Sequence, residues 1–141
     1  MKFVRRKYLI GNKKLDSYLY IDMDKYVSLS TDQYYHDVFD ILFFDDNIIK
    51  IKFSVLPKYC LQEKNGRIVL SFDDEYNVYK LIPKEENVYA IISVSSNKAL
   101  TIGKDRCIFL EDFDCNNSNQ EFVLEDVTDF FTFSESLCFI C

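Results

Sequence analysis

One short pattern occurs three times in this chain. "DVFDI" (Asp37 to Ile41), "NVYKL" (Asn77 to Leu81) and "QEFVL" (Gln120 to Leu124) each carry an aromatic, one residue, then an aliphatic. The aromatics are Phe39, Tyr79 and Phe122, spaced 40 and 43 residues apart. A period of this size marks a repeat whose single copy cannot bury its own apolar face. The segments upstream recur as well. "YLIGN", "IKIKF" and "YAIIS" centre on Ile10, Ile51 and Ile91. "SYLYI", "KYCLQ" and "KALTI" centre on Leu19, Leu61 and Leu100, and "YVSL", "IVLS" and "CIFL" follow around Val27, Val69 and Ile108.

Each copy therefore reads as four short strands separated by turn material such as "GNKKLDS", "EKNGR", "GKDR" and "DCNNSN". Asn65-Gly66 is a strong signal for a two-residue hairpin turn. The composition agrees: Tyr and Phe number 10 and 13, against three Gly and two Pro, and aromatic and β-branched residues suit strands. Three four-stranded units can close around an axis and bury what one unit leaves exposed. The predicted fold is all-β, a twelve-stranded β-trefoil with units near 1–42, 43–83 and 84–127 and a short C-terminal extension, 128–141. Its predicted core holds Ile10, Leu19, Phe39, Ile51, Leu61, Tyr79, Ile91, Leu100 and Phe122.

Charge bounds the partners. The net charge is −6, which disfavours a general role on polyanions. Before the first acid, Asp16, stand six basic residues: Lys2, Arg5, Arg6, Lys7, Lys13 and Lys14. As an N-terminal arm they are candidate phosphate contacts on an RNA-protein particle such as the ribosome. The opening "MKFVRRKYLIGNKK" has charges where a leader needs an apolar run, and no apolar stretch approaches a membrane span. The expectation is a cytoplasmic protein without membrane contact. The five cysteines are then reduced thiols rather than a disulfide framework.

The third unit, "KALTIGKDRCIFLEDFDCNNSNQEFVLED", resembles one repeat of the ricin-type lectins. Those repeats end in Gln-x-aromatic, as Gln120-Glu121-Phe122 does, and carry Asn and Gln before the aromatic, matched by Asn119 and Gln120. The resemblance implies a carbohydrate site in which the Asn, an Asp after the second strand and an aromatic platform hold the sugar. Here the Asp position falls on Thr101 and the platform position near Glu111, with Phe109 or Phe113 as the ring if the register slips. The candidate sugar contacts are Asn119, Gln120 and Phe113, and the family gives Gln120 a turn-tying role as well. In the other two units the Gln position holds Asp37 and Asn77. Unit one does place Asp22 and Asp24 after "YLYI" and Tyr34 and Tyr35 downstream, which reads as an exposed acidic turn.

Enzyme signatures are absent. His36 is the sole histidine, the three glycines are isolated, and no Ser or Cys elbow is present. Cys138 and Cys141 have CxxC spacing, but a second pair of ligands is missing, so no metal site and no cofactor is expected. The tail "DFFTFSESLCFIC" carries Phe131, Phe133 and Phe139, candidate contacts for a protein partner. The chain thus reads as a non-enzymatic binding module. A macromolecular partner held through protein contacts is the first expectation. Carbohydrate bound by the third repeat and an RNA-protein particle bound by the arm are the alternatives.

Overall fold

The structure, a computed structural model, describes residues 2–32, 36–73 and 77–130. Twelve strands run in chain order: β1 (Val4–Asn12), β2 (Ser17–Ile21), β3 (Val27–Leu29), β4 (Phe39–Phe43), β5 (Ile48–Phe53), β6 (Tyr59–Lys64), β7 (Arg67–Phe72), β8 (Tyr79–Glu85), β9 (Val88–Ser93), β10 (Ala99–Ile102), β11 (Ile108–Glu111) and β12 (Phe122–Asp126). Short 3-10 turns fill Asp45–Asn47 and Ser118–Gln120. All pairings are antiparallel. Strands β1, β4, β5, β8, β9 and β12 each pair with the next, and β12 returns to β1, so these strands form a closed cycle. Closure leaves this ring no unpaired edge.

The remaining strands make three hairpins, β2–β3, β6–β7 and β10–β11. They lock into one another by one hydrogen bond used three times. Leu70 N–H donates to Lys25 O at 2.7 Å, Leu110 N–H to Gly66 O at 2.8 Å, and Leu29 N–H to Arg106 O at 2.7 Å. Each turn thus feeds its carbonyl to the next hairpin. The backbone at Lys25, Gly66 and Arg106 has positive φ, of 68°, 77° and 66°. At Asn65-Gly66, φ values of 53° and 77° are those of the primed hairpin turn that this dipeptide favours. Non-glycine residues hold the same conformation at Lys25 and Arg106, so the interlock helps to hold those turns.

All nine predicted core residues are buried: Tyr79 retains 2% of its surface and the other eight none. They belong to one cluster that also takes Val27, Leu29, Ile41, Ile49, Ile68 and Ile108. Burying a side chain of this size contributes roughly 1.5–3 kcal/mol. Tyr79 differs from its counterparts Phe39 and Phe122 by a hydroxyl, which donates to Leu61 O at 2.9 Å. That bond is what lets a phenol sit where the other two units place a plain ring. Burial pushes its pKa far above the ordinary tyrosine value.

The basic N-terminus is not a free arm. Residues 4–12 are β1, whose first half pairs with β4 and whose second half pairs with β12. No described helix is long and apolar enough to cross a membrane.

Candidate functional site

The carbonyl interlock brings the loops of all three hairpins near one another, and the first of them carries a cleft. Strand β2 delivers Tyr20 and Ile21, the turn delivers Asp22, Met23 and Asp24, and the exit of β3 delivers Ser30, Thr31 and Asp32. Together they line a cavity of about 550 Å³. Asp22 builds the turn rather than facing a ligand. Its Oδ1 accepts the N–H groups of Asp24 and Tyr26, both at 2.9 Å, and its Oδ2 accepts the Ser28 hydroxyl at 3.4 Å. A short carboxylate competing for backbone N–H groups is the ordinary way a tight turn is closed. Asp24, next along, is exposed, and its carboxylate makes no hydrogen bond to any described residue.

The other wall is fixed from outside the unit. Ser30 Oγ donates to Asp32 O at 2.6 Å and accepts Asp32 N–H at 3.0 Å. Arg106, in the turn of the third hairpin, donates to Ser30 O at 2.6 Å, to Leu29 O at 3.2 Å and to Ser17 Oγ at 3.2 Å. Asp37 Oδ2 accepts Ile21 N–H at 2.7 Å, tying the segment that leads into β4 to the floor. The sequence reading missed Tyr20, Thr31 and Asp32 as lining residues and Arg106 as the clamp. The only signal was the run of Tyr, Asp and Thr on either side of the first turn. Tyr34 and Tyr35 lie outside the described residues.

The third unit uses the same positions differently. Gln120, at 1% exposure, is fully engaged inside the loop. Its Oε1 accepts Asp114 N–H at 2.9 Å, and its Nε2 donates to Asp112 O at 2.9 Å and Thr101 Oγ1 at 3.1 Å. Thr101 is buried and spends its hydroxyl on Ala99 O and Gln120. Asn119 is half-buried in the 3-10 turn, where its N–H reaches Asn117 Oδ1 at 3.0 Å. Phe113 is exposed.

Hydrogen bonding carries the alignment of Leu19 with Leu100 on into the turns. Asp22 N–H bonds Tyr26 O and Lys25 N–H bonds Asp22 O, while Gly103 N–H bonds Cys107 O and Arg106 N–H bonds Gly103 O. Gly103, not Thr101, therefore stands where unit one has its aspartate. A Cβ at Gly103 would lie 2.7 Å from the Phe109 ring. No carboxylate fits there unless that ring moves.

The six cations divide evenly. Arg6 pairs with Asp126 at 2.6 Å, Lys13 with Glu85 at 2.6 Å, and Lys7 with Asp40 at 3.0 Å. Lys2, Arg5 and Lys14 are exposed and make no ion pair among the described residues. Arg5 lies near the start of β1 and Lys14 in the turn after its end, with ~3.3 Å per strand residue putting roughly 23 Å between Arg5 and Asn12, so Arg5 and Lys14 do not share one patch. Phe131, Phe133, Phe139, Cys138 and Cys141 lie outside the described residues. Among the described residues no three His, Cys, Asp or Glu side chains gather to hold a metal. A second groove, of about 680 Å³, lies at one end of the ring between Lys2, Phe3, Val4 and Phe44. Phe3 and Val4 are more than half exposed there, and Phe3 meets the Phe44 ring at 5.8 Å.

No protein-family model matches this chain, and no curated protein matches it significantly in sequence. Solved structures do match. The designed three-fold symmetric protein ThreeFoil superposes with a TM-score of 0.73 at 12% identity, over 86% of this chain and 99% of its own. This is a β-trefoil-like fold. SeviL, solved with the asialo-GM1 saccharide, matches with a TM-score of 0.71 at 12% identity, over 88% of this chain and 99% of SeviL. The GlcNAcα1-4Gal-releasing endo-β-galactosidase of Clostridium perfringens matches with a TM-score of 0.73 at 14% identity. That match covers 86% of this chain but 32% of the enzyme, so the chain spans about a third of the enzyme's length.

Proposed function

We propose that this chain is a non-enzymatic, three-unit β-trefoil module that binds carbohydrate in the cleft of its first hairpin. The units run near 1–42, 43–83 and 84–127, with 128–141 as an extension. The threefold recurrence of the turn carbonyl bond supports this division. The observation that carries the ligand reading is the composition of the 550 Å³ cleft. Its size falls in the ~300–1,000 Å³ range of small-molecule sites. Asp24, Thr31 and Tyr20 are all among its lining residues, a carboxylate, a hydroxyl and an aromatic ring. Carboxylates accept paired sugar hydroxyls, and an aromatic ring packs on the apolar face of a pyranose. SeviL, of the same fold, was solved with a saccharide. On this reading the sugar site lies in the first unit, whereas the ricin-type resemblance pointed to the third. There Gln120 is spent on the loop and Gly103 has no room for an acid.

The test is a glycan array followed by calorimetry on the best binder. Asp24→Asn is expected to weaken binding about tenfold or more, since a charge-assisted hydrogen bond contributes about 1.5–3 kcal/mol. Asn119→Ala is expected to leave affinity unchanged. An array with no hit, or equal affinity for Asp24→Asn and the parent, sinks the reading.

A second reading, a protein partner, is favoured by the exposed Phe3 and Val4 beside Phe44. Aromatic side chains exposed in a groove are common anchors for partners. Under this reading Phe3→Ser abolishes capture of the partner while glycan binding stays intact. An RNA-protein particle is not proposed, because three of its six candidate cations are already paired within the fold.

A further inference from the structure

A second cavity, of about 810 Å³, opens between the β6–β7 and β10–β11 hairpins, with Asn65, Arg67, Lys104, Asp105 and Cys107 on its walls. It lies where the hairpins interlock, since Phe109 pairs with Arg67 and Leu110 N–H bonds Gly66 O. It is distinct from the cleft of the first hairpin and shares no lining residue with it.

Arg67 is the unusual group. Its guanidinium lies over the Tyr26 ring, 4.0 Å from the centroid, which fixes the plane of the fork. Nη2 points at Cys107 Sγ, 2.7 Å away, a weak acceptor. Nε is buried with no hydrogen-bond partner and out of reach of a ligand, so the edge of the fork left for one is Nη1 and Nη2. No carboxylate lies within ion-pair distance of Arg67 among the described residues. Of the other half-buried cations, Arg6, Lys7, Lys52 and Lys84 each have a carboxylate, while Arg106 satisfies its guanidinium on Leu29 O, Ser30 O and Ser17 Oγ; among the described residues Arg67 has only the Cys107 sulfur. In a chain of net charge −6 an acid would have been easy to supply. A half-buried guanidinium that is stacked and oriented, with Asp105 acting on it only beyond ion-pair distance, is incompletely satisfied. Lys104, exposed on the same wall, adds a second positive charge without an ion pair of its own.

Asp105 is the opposing group. Its carboxylate accepts Cys107 N–H at 3.1 Å, and that backbone bond holds its pKa below the ordinary value. It is therefore turned into its own turn, and its charge still counts against an anion in the cavity.

We propose that this cavity is an oxyanion site, taking a phosphate group on the Arg67 fork with Lys104 as the second charge. Arginine presents parallel N–H donors that match a phosphate bidentately, and this arginine is preorganised by its stacking. The phosphate is either free or carried on a larger molecule, and the two are separated by choice of probe.

The experiment is isothermal calorimetry on the full chain, with inorganic phosphate in one arm and glycerol 2-phosphate in the other. Saturable one-to-one binding is expected with at least one probe. Binding of the ester alone assigns the site to a carried phosphate, and binding of inorganic phosphate assigns it to the free ion. Arg67→Gln is expected to weaken binding about tenfold or more. Lys104→Gln weakens it less, and Asp105→Asn tightens it. Lys98→Gln, outside the cavity, leaves it unchanged. If Arg67→Gln does not fold, Arg67→Lys, which keeps the charge and loses the fork, takes its place, with the same drop expected. No saturable binding of either probe overturns the proposal. So does equal affinity in the Arg67 variant and the parent, or looser binding in Asp105→Asn.

Discussion

Replacing Gln120 by Ala separates a structural glutamine from a ligand contact, and its cost follows from the geometry. The substitution removes three hydrogen bonds, at 2.9, 2.9 and 3.1 Å, all inside the loop before β12. A typical intramolecular bond contributes about 0.5–1.5 kcal/mol net, and a buried partner left unsatisfied costs about 1–3 kcal/mol. Three groups lose a partner: Asp114 N–H, Asp112 O and Thr101 Oγ1. Thr101 keeps its bond to Ala99 O and suffers least. Asp112 and Asp114 are exposed residues, so water recovers part of what they lose. The sum is about 2–4 kcal/mol. For a chain of this size, roughly 3–4 °C of melting temperature is lost per kcal/mol, so the drop is about 6–16 °C. Urea unfolding followed by circular dichroism reads it directly, with an unchanged slope and a lower midpoint. A loss below about 0.5 kcal/mol would show that the loop is not held by this amide. If glycan affinity fell at the same time, the sugar site would return to the third unit.

Three further outcomes are expected. Burial alone would raise the Asp73 carboxyl, but hydrogen bonds from Lys50 and Lys52 outweigh it and hold the pKa below the ordinary value. Such a group adds stability above its unfolded pKa of about 3.9 and loses it as pH falls through the lower folded value. Urea midpoints of the parent should therefore fall more steeply below pH 5 than those of Asp73→Asn, and parallel profiles would exclude the cluster. Gly66→Val should cost about 1–2 kcal/mol in urea unfolding through its φ of +77° alone, because a Cβ there meets nothing within 4 Å. Peptide mapping after brief treatment with a thiol reagent should find Cys115 labelled and Cys60 untouched. Cys115 is exposed, whereas Cys60 is buried and burial pushes its thiol up to about 11. Equal labelling of both would refute the burial argument.

The periodic part of this molecule was legible in the sequence because packing leaves a periodic trace. Every one of the twelve strands contains or overlaps the segment assigned to it from the repeat, and all nine core residues are inside. An aromatic at Phe39, Tyr79 and Phe122 has one job in three places, so the chain repeats it. Asn65-Gly66 was readable for the same reason, since backbone conformation there is a local property. What depends on which loop faces which neighbour was not readable. Arg106 clamps Ser30 and Leu29 across 76 and 77 residues, and no spacing rule announces that. That Gly103, three residues after Leu100 as Asp22 is after Leu19, leaves no room for an acid was not readable, because the Phe109 ring that fills the space is set by packing. The basic run looked like an arm because charge alone cannot say that residues 4–12 form a strand that pairs first with β4 and then with β12 and β2. Nor could sequence find the stacked Arg67, whose partners Tyr26 and Cys107 come from the turns of the other two hairpins. Sequence determined the strands, their faces and their period through local burial and turn preference. Only the closed ring decided which side chains from distant units share a cavity, because those contacts are made by closure and not by any residue's own preference.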